Sequence, residues 1–325
     1  MSIERELSGF TRLTTSTGIS MVVTTYGARL VELWVPDREG VLGNVVVGLP
    51  TPQHYADRAN LYLGCTVGRV AGRIPGAHFT GGGLSFSLEP NEGPNQLHGG
   101  GTRSFDRIEW ELVTFESDES VVAEFHYVSP AGEEEYPGEL TVVSRYELTA
   151  VGVLTCTLTA ETTSACPVNL TTHSYWNLSG VAGSTIHDHT LDADVSWHVE
   201  NGEVQLHTGE LTPAETGMSL AAPGWDDTFV LAEKDHTSSP AATLSHPASG
   251  RALTLYTTEP ALQVYTAGYL PQEALDDVHV LTPFGGVCLE PQRINDNALL
   301  PHFPSIVLQP SDTYSHVTQH VFSSI

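Results

Sequence analysis

The stretch TTHSYWNLSG, Thr171 to Gly180, sets one histidine, His173, among hydroxyls and aromatic rings in a run that reads as strand then turn. Imidazole exchanges a proton near neutral pH, and Tyr175 and Trp176 offer flat apolar faces that match the C–H face of a pyranose. A lone histidine between strand residues is more often a satisfied core or surface group, so this segment by itself leaves both readings open. A second chemical group stands in Cys288-Leu289-Glu290-Pro291-Gln292, where a carboxylate ends an apolar run just before a proline stops the strand. Buried there, Glu290 would hold its proton more tightly and become a usable base; exposed, it would be solvated and inert.

Three further islands could hold a ligand. GCTVGRVAGRIPGAHF, Gly64 to Phe79, places Arg69 and Arg73 four apart among glycines that let the backbone approach a bound molecule. A guanidinium there donates two hydrogen bonds to a polyol or a carboxylate, or else pairs with one of the chain's own acids; for Arg69 the pairing is expected. The spacing GxxxxGK followed by Ser or Thr is absent, so this is not a phosphate loop. NQLHGG, Asn95 to Gly100, holds His98 in loose backbone, where a histidine is more commonly part of a turn. Trp225-Asp226-Asp227-Thr228-Phe229 puts acids between aromatics, a pattern suited to gripping adjacent hydroxyls while a ring covers the sugar face, although either acid could equally serve a turn.

Composition narrows the partners. Thirteen Lys and Arg against 39 Asp and Glu give a formal charge of -26, which repels nucleic-acid backbones and anionic membrane surfaces and disfavours a dedicated phosphosugar site. The opening MSIERELSGFTRL carries charges of both signs and no apolar core, so it does not read as a secretory signal, and no apolar run approaches the length of a membrane helix. Cys65, Cys156, Cys166 and Cys288 lie far apart with no CxxC pair, which argues against a zinc knuckle or a disulfide scaffold and for a reducing cytoplasm.

The elements that must position these groups read as strands. Gly18 to Pro36 forms a hairpin around Tyr26-Gly27; Val121 to Val128 and Thr141 to Leu148 follow; and in Val153 to Ala160 the residues Leu154, Cys156, Leu158 and Ala160 alternate with Thr155, Thr157 and Thr159. Val204 to Leu211, Ala252 to Thr257, Leu262 to Thr266, Gly286 to Glu290 and Ser305 to Leu308 complete the set. Thr51 to Asp57 reads as one or two helical turns and Gln272 to Asp277 as another, while Ala232 to Pro247 reads as a loop or irregular hairpin. Thirty glycines and twenty prolines spread along the chain, with no linker and no repeat, point to an all-β protein: one large antiparallel sandwich over residues 1–325 with very little helix.

Taken together, in this order and spacing, the islands resemble the aldose 1-epimerases, also called galactose mutarotases. The resemblance rests on GRVAxRI at Gly68 to Ile74, NxLHGG at Asn95 to Gly100, HSYxNL at His173 to Leu178, aromatic-Asp-x-x-Phe at Trp225 to Phe229, and Glu-x-Gln at Glu290 followed by FPSIVLxPxxxYxH at Phe303 to His316. It implies a mutarotase-type β-sandwich and an isomerase acting without cofactor or metal on the anomeric centre of a free sugar. By that likeness Glu290 is the general base, His173 the general acid, and Arg73, His98, Tyr175, Asp226 and Gln263 hold the sugar. Gly72, where the family often has Asn, and Asp227, where it often has His, depart from the pattern and bear on the preferred sugar, be it glucose, galactose or a disaccharide.

Interconverting anomers requires a proton taken from O1 and another delivered to ring O5, so that C1–O5 opens to an aldehyde and recloses on the other face. The sequence expectation is an ionised Glu290 and a protonated His173, each stabilising the other's charge. Three rivals use the same residues: a sugar-binding module without catalysis, a phosphosugar 1-epimerase, and a glycosidase pairing Glu290 with Asp226. A metallohydrolase built on His187 and His189, placed by their spacing on one strand face, lacks a third ligand. The oligomeric state is not legible.

Overall fold

Strand alternation is what assembles the molecule. In the computed structural model, which describes residues 1–6, 8–221, 224–295 and 303–325, Val153–Thr162 buries Leu154, Cys156, Leu158 and Ala160 and leaves its central threonines half-exposed, as the period of two requires. That strand lies inside an antiparallel sheet ordered Glu111–Glu116, Ser120–Ser129, Leu140–Thr149, Val153–Thr162, Tyr314–Ser324, Arg251–Thr257, Ala242–His246, Thr190–Ala193 and Gly217–Met218. A second antiparallel sheet runs Tyr175–Trp176, Val287–Gln292, Ala261–Tyr265, Asp226–Leu231, Val195–Asn201 and His207–Pro213. A third, N-terminal sheet contains the expected hairpin, with Ser20–Thr24 paired to Arg29–Pro36.

All three sheets feed one hydrophobic cluster. Phe125, Tyr146, Leu158 and Leu253 come from the first, Leu262, Val264, Phe229 and Leu289 from the second, and Leu13, Met21 and Leu33 from the third. Facing sheets over a shared apolar layer make a sandwich, the expected class. Among the described residues the α-helix is limited to Pro52–Asp57, capped by Thr51 and begun by a proline, and no helix is long and apolar enough to cross a membrane.

Three expectations are corrected. Val204 is not in a strand: Gly202 N–H donates to the Leu206 carbonyl, closing a tight turn, and the strand begins at His207. Gln272 to Asp277 is not helical, because Glu273–Ala274 pairs with Val280–Leu281 as a short hairpin. His187 and His189 do not share a strand face, since the strand starts only at Thr190; His187 is exposed beside Phe284, whereas His189 is buried against His246. Segment 232–247 divides into a turn and the strand Ala242–His246.

Candidate active site

The face of the second sheet turned away from the core supplies the site. Leu289, Leu262, Val264 and Phe229 point into the sandwich, so their alternates, Cys288, Glu290, Gln263, Tyr265, Asp226 and Thr228, share the opposite face. Register sets them in two rows: Tyr175 opposite Cys288, Cys288 opposite Tyr265, Tyr265 opposite Asp226; and Glu290 opposite Gln263, Gln263 opposite Thr228. Above these rows lies a cavity of about 670 Å³, lined also by His173, Tyr62, His98, Arg73 and His207. That volume falls in the range of about 300–1,000 Å³ usual for small-molecule sites.

His173 arrives from a different part of the chain. Its N–H donates to the Cys65 carbonyl and its carbonyl accepts from Gly64 N–H, so the glycine-rich segment fixes its backbone. The ring runs nearly parallel to Tyr175, with centroids 5.1 Å apart, and to Tyr62 at 6.0 Å, while His98 meets it edge-on at 5.5 Å. Nε2 of His173 lies 3.5 Å from Oε1 of Glu290, and Nδ1 lies 3.4 Å from Sγ of Cys288. His173 and Glu290 are 5% and 2% exposed.

Burial acts on this pair against the expected charges. It pushes the Glu290 carboxyl well above the usual carboxylate range, with the Asp226 charge adding to the effect, and it pulls His173 down to about 4. Both shifts favour the uncharged pair, carboxylic acid beside imidazole, over carboxylate beside imidazolium. The carboxylate–imidazolium form expected from sequence differs from it only in the position of one proton.

Every sugar-holding residue expected from sequence lines the cavity. Arg73 is clamped by Glu92 through bonds of 2.7 and 2.8 Å, which fix the guanidinium as a planar fork. His98 Nδ1 accepts from Gly72 N–H at 3.2 Å, so its proton sits on Nε2; burial, then the neighbouring His173 and Arg73, hold it neutral well below the ordinary imidazole range. Gly72 has φ of +72°, a left-handed conformation that suits glycine. Gln263 Nε2 donates to Asp226 Oδ1 at 2.8 Å, and burial raises the Asp226 carboxyl although Arg73 and Gln263 oppose it. The Tyr175 hydroxyl is committed to the Leu61 carbonyl at 2.7 Å, leaving its ring as the surface the site uses.

Arg69 has the structural fate expected of it, with a different partner: it is buried and donates to the carbonyls of Ser129, Pro130, Pro137 and Gly138 and to the Ser129 hydroxyl. Asp227 accepts from His198 Nε2 and Asn201 Nδ2, so that departure from the family pattern bears on the cavity wall. Sequence reasoning missed Tyr62, Glu92, Thr228, Tyr265, His207 and Gln292, all of which line the cavity. Thr228, Tyr265 and Gln292 were findable as the i+2 neighbours of Asp226, Gln263 and Glu290; Tyr62 and Glu92 lie outside any such register.

Among the described residues, two side-chain groups have metal-ligand composition. In the site, the thiol of Cys288 is beside Nδ1 of His173 and the carboxyl of Glu290 beside Nε2, an order that suits a proton chain through the imidazole rather than a shared ion. In the other, Asp188, His189 and His246, the His189 Nε2 accepts from Leu178 N–H and its Nδ1 faces Asp188, so both ring nitrogens are occupied. The metallohydrolase reading finds no support there.

A sequence model of the family Aldose 1-epimerase matches residues 10–320. Galactose mutarotase of Sus scrofa is 36% identical over 318 residues, covering 93% of this chain and 90% of the relative. Aldose 1-epimerase of Escherichia coli K12 is 30% identical, covering 95% and 94%. The crystal structure of a GalM/aldose epimerase homologue from C. elegans superposes with a TM-score of 0.86 at 26% identity, over 98% of this chain and 99% of that one. With the sandwich, the cavity and the matched sequence in agreement, the chain belongs to the aldose 1-epimerase family of isomerases.

Proposed function

We propose that this cavity interconverts the α and β anomers of free aldoses of the glucose and galactose type, with Glu290 as general base at O1 and His173 as general acid at ring O5. The observation that carries the assignment is the 3.5 Å approach of two buried, oppositely behaving titratable groups on the cavity floor. Two oxygens on one carbon need a base and an acid placed side by side, and this pair offers both.

Before the sugar binds, the shared proton rests on Glu290. An O1 hydroxyl donating toward that carboxyl favours its ionised form and drives the proton across to His173. The imidazolium then gives its proton to O5 as C1–O5 breaks, while the carboxylate takes the O1 proton and the C1=O1 bond forms. Rotation about C1–C2 presents the other aldehyde face, and the same transfers in reverse close the ring. Each positioned transfer supplies a factor of about 10²–10⁴. Tyr175 covers a sugar face, and Arg73, His98, Asp226 and Gln263 bond its hydroxyls. We place the reaction in the cytoplasm, a reading supported by four cysteines that are all free and buried. One unit spanning the chain would carry it, as the family match over residues 10–320 supports.

Magnetisation-exchange NMR of equilibrated glucose and galactose tests the function. Catalytic amounts of protein should produce α–β exchange cross-peaks that Glu290→Gln abolishes. Saturable sugar binding without exchange would leave a binding module instead.

A further inference from the structure

Beside the proposed acid–base pair runs a chain of hydrogen bonds that the reaction itself does not use. His207 Nε2 lies 3.2 Å from the Thr228 hydroxyl, that hydroxyl donates to Gln263 Oε1 at 2.5 Å, and Gln263 Nε2 donates to Asp226 Oδ1 at 2.8 Å. The donors and acceptors run in one direction. Since the threonine proton goes to Gln263, its oxygen accepts from His207, which places the His207 proton on Nε2. Gln263 therefore has its carbonyl held on one side and its amino group on the other, directly across the ladder from Glu290.

A glutamine amide has two orientations of nearly equal shape that exchange donor for acceptor, and a sugar hydroxyl meeting it reads the difference. Thr228 is 3% exposed on the middle of three adjacent strands, where packing alone would be met by valine. What its hydroxyl adds is directional: with its oxygen engaged by His207 and the amide NH2 engaged by Asp226, its proton is directed at the Gln263 carbonyl and favours that amide orientation. His207 in turn holds the threonine rotor in the donating direction. His207 opens the edge strand His207–Pro213 directly after the tight turn of the cavity wall, so wall and amide are tied together.

We propose that Thr228 and His207 are specificity-determining positioning residues, which set the sugar preference of the site by pinning the amide of Gln263 in one orientation. The proposal rests on the assignment of the cavity as a site for free aldoses. It concerns only which hydroxyl pattern is accepted, and neither residue takes part in proton transfer.

The test compares wild type, Thr228→Val, Thr228→Ser and His207→Leu. Calorimetric binding and steady-state kinetics would use glucose, galactose and the 2-, 3-, 4- and 6-deoxy forms of each. Thr228→Val keeps the shape and removes the hydroxyl, so Kd and KM for the parent sugars should rise about three- to ten-fold, with kcat within about two-fold of wild type. Thr228→Ser should restore both. The deoxy sugar lacking the hydroxyl that Gln263 reads should bind wild type and Thr228→Val equally. His207→Leu should weaken binding in the same direction, and the double variant should be no worse than Thr228→Val within about two-fold. Four results would overturn the proposal: unchanged affinity in Thr228→Val, equal losses for every deoxy sugar, failure of serine to rescue, or additive losses in the double variant. Failure of wild type to bind any of these sugars would overturn it together with the parent reading, whereas normal binding and exchange with an inert Thr228→Val would sink it alone.

Discussion

Burial disfavours the charged forms of both Glu290 and His173, so in the proposed mechanism the ion pair is a state the substrate must summon rather than one the folded protein keeps. A group that acts only in proton transfer should show its loss in turnover. Glu290→Gln and His173→Gln are each expected to lower kcat by about 10²–10⁴-fold in stopped polarimetry of fresh α-anomers, with much smaller effects on KM. A rise in KM at unchanged kcat would reduce either residue to a binding contact.

At the level of elements, the two arginines four residues apart show how one loop serves both fold and site. Arg69 lies under the loop and carries four backbone carbonyls, whereas Arg73 faces the cavity and is braced by Glu92. Arg69→Met should cost about 3–5 kcal/mol of stability by stranding those carbonyls, read as a lowered denaturant midpoint. Arg73→Met should keep that midpoint and raise KM. The strands themselves were legible wherever alternation ran unbroken, as in Val153–Thr162, and so was the run through Glu290, although Pro291 does not stop that strand, which stays paired to Ala261–Tyr265 as far as Gln292. Misreadings came where distant pairing or a local closure overrode the pattern: Glu273 meets Leu281 across a hairpin that no local signal announces, and the Gly202–Leu206 bond turns the alternating start of Val204 to Leu211 into a cavity wall. In the site, motif residues were found and their braces were not. Glu92, Tyr62 and His207 owe their places to contacts with residues far along the chain.

At the scale of the whole molecule, a formal charge of -26 with a single lysine, Lys234, leaves most surface acids without a cationic neighbour. Such a surface repels itself, and the repulsion weakens as the screening length falls from about 10 Å at 0.1 M salt to about 3 Å at 1 M. The unfolding temperature should therefore climb as KCl is raised over that range, measured by calorimetry at neutral pH. A flat or falling midpoint would mean that the acids are balanced locally. The same field disfavours anionic ligands, in keeping with a neutral sugar in the cavity.

The pH dependence of kcat/KM for anomer exchange, corrected for the buffer reaction and measured where unfolding is absent, tests the shared-proton pair most directly. Below the lowered value of His173, about 4, the pair takes up a second proton and loses its base; above the raised value of Glu290 it loses its only proton and with it the acid. The predicted profile is a bell with its acid limb near pH 4 and its alkaline limb well above the ordinary carboxylate range. Activity that climbs steadily through both regions would contradict it.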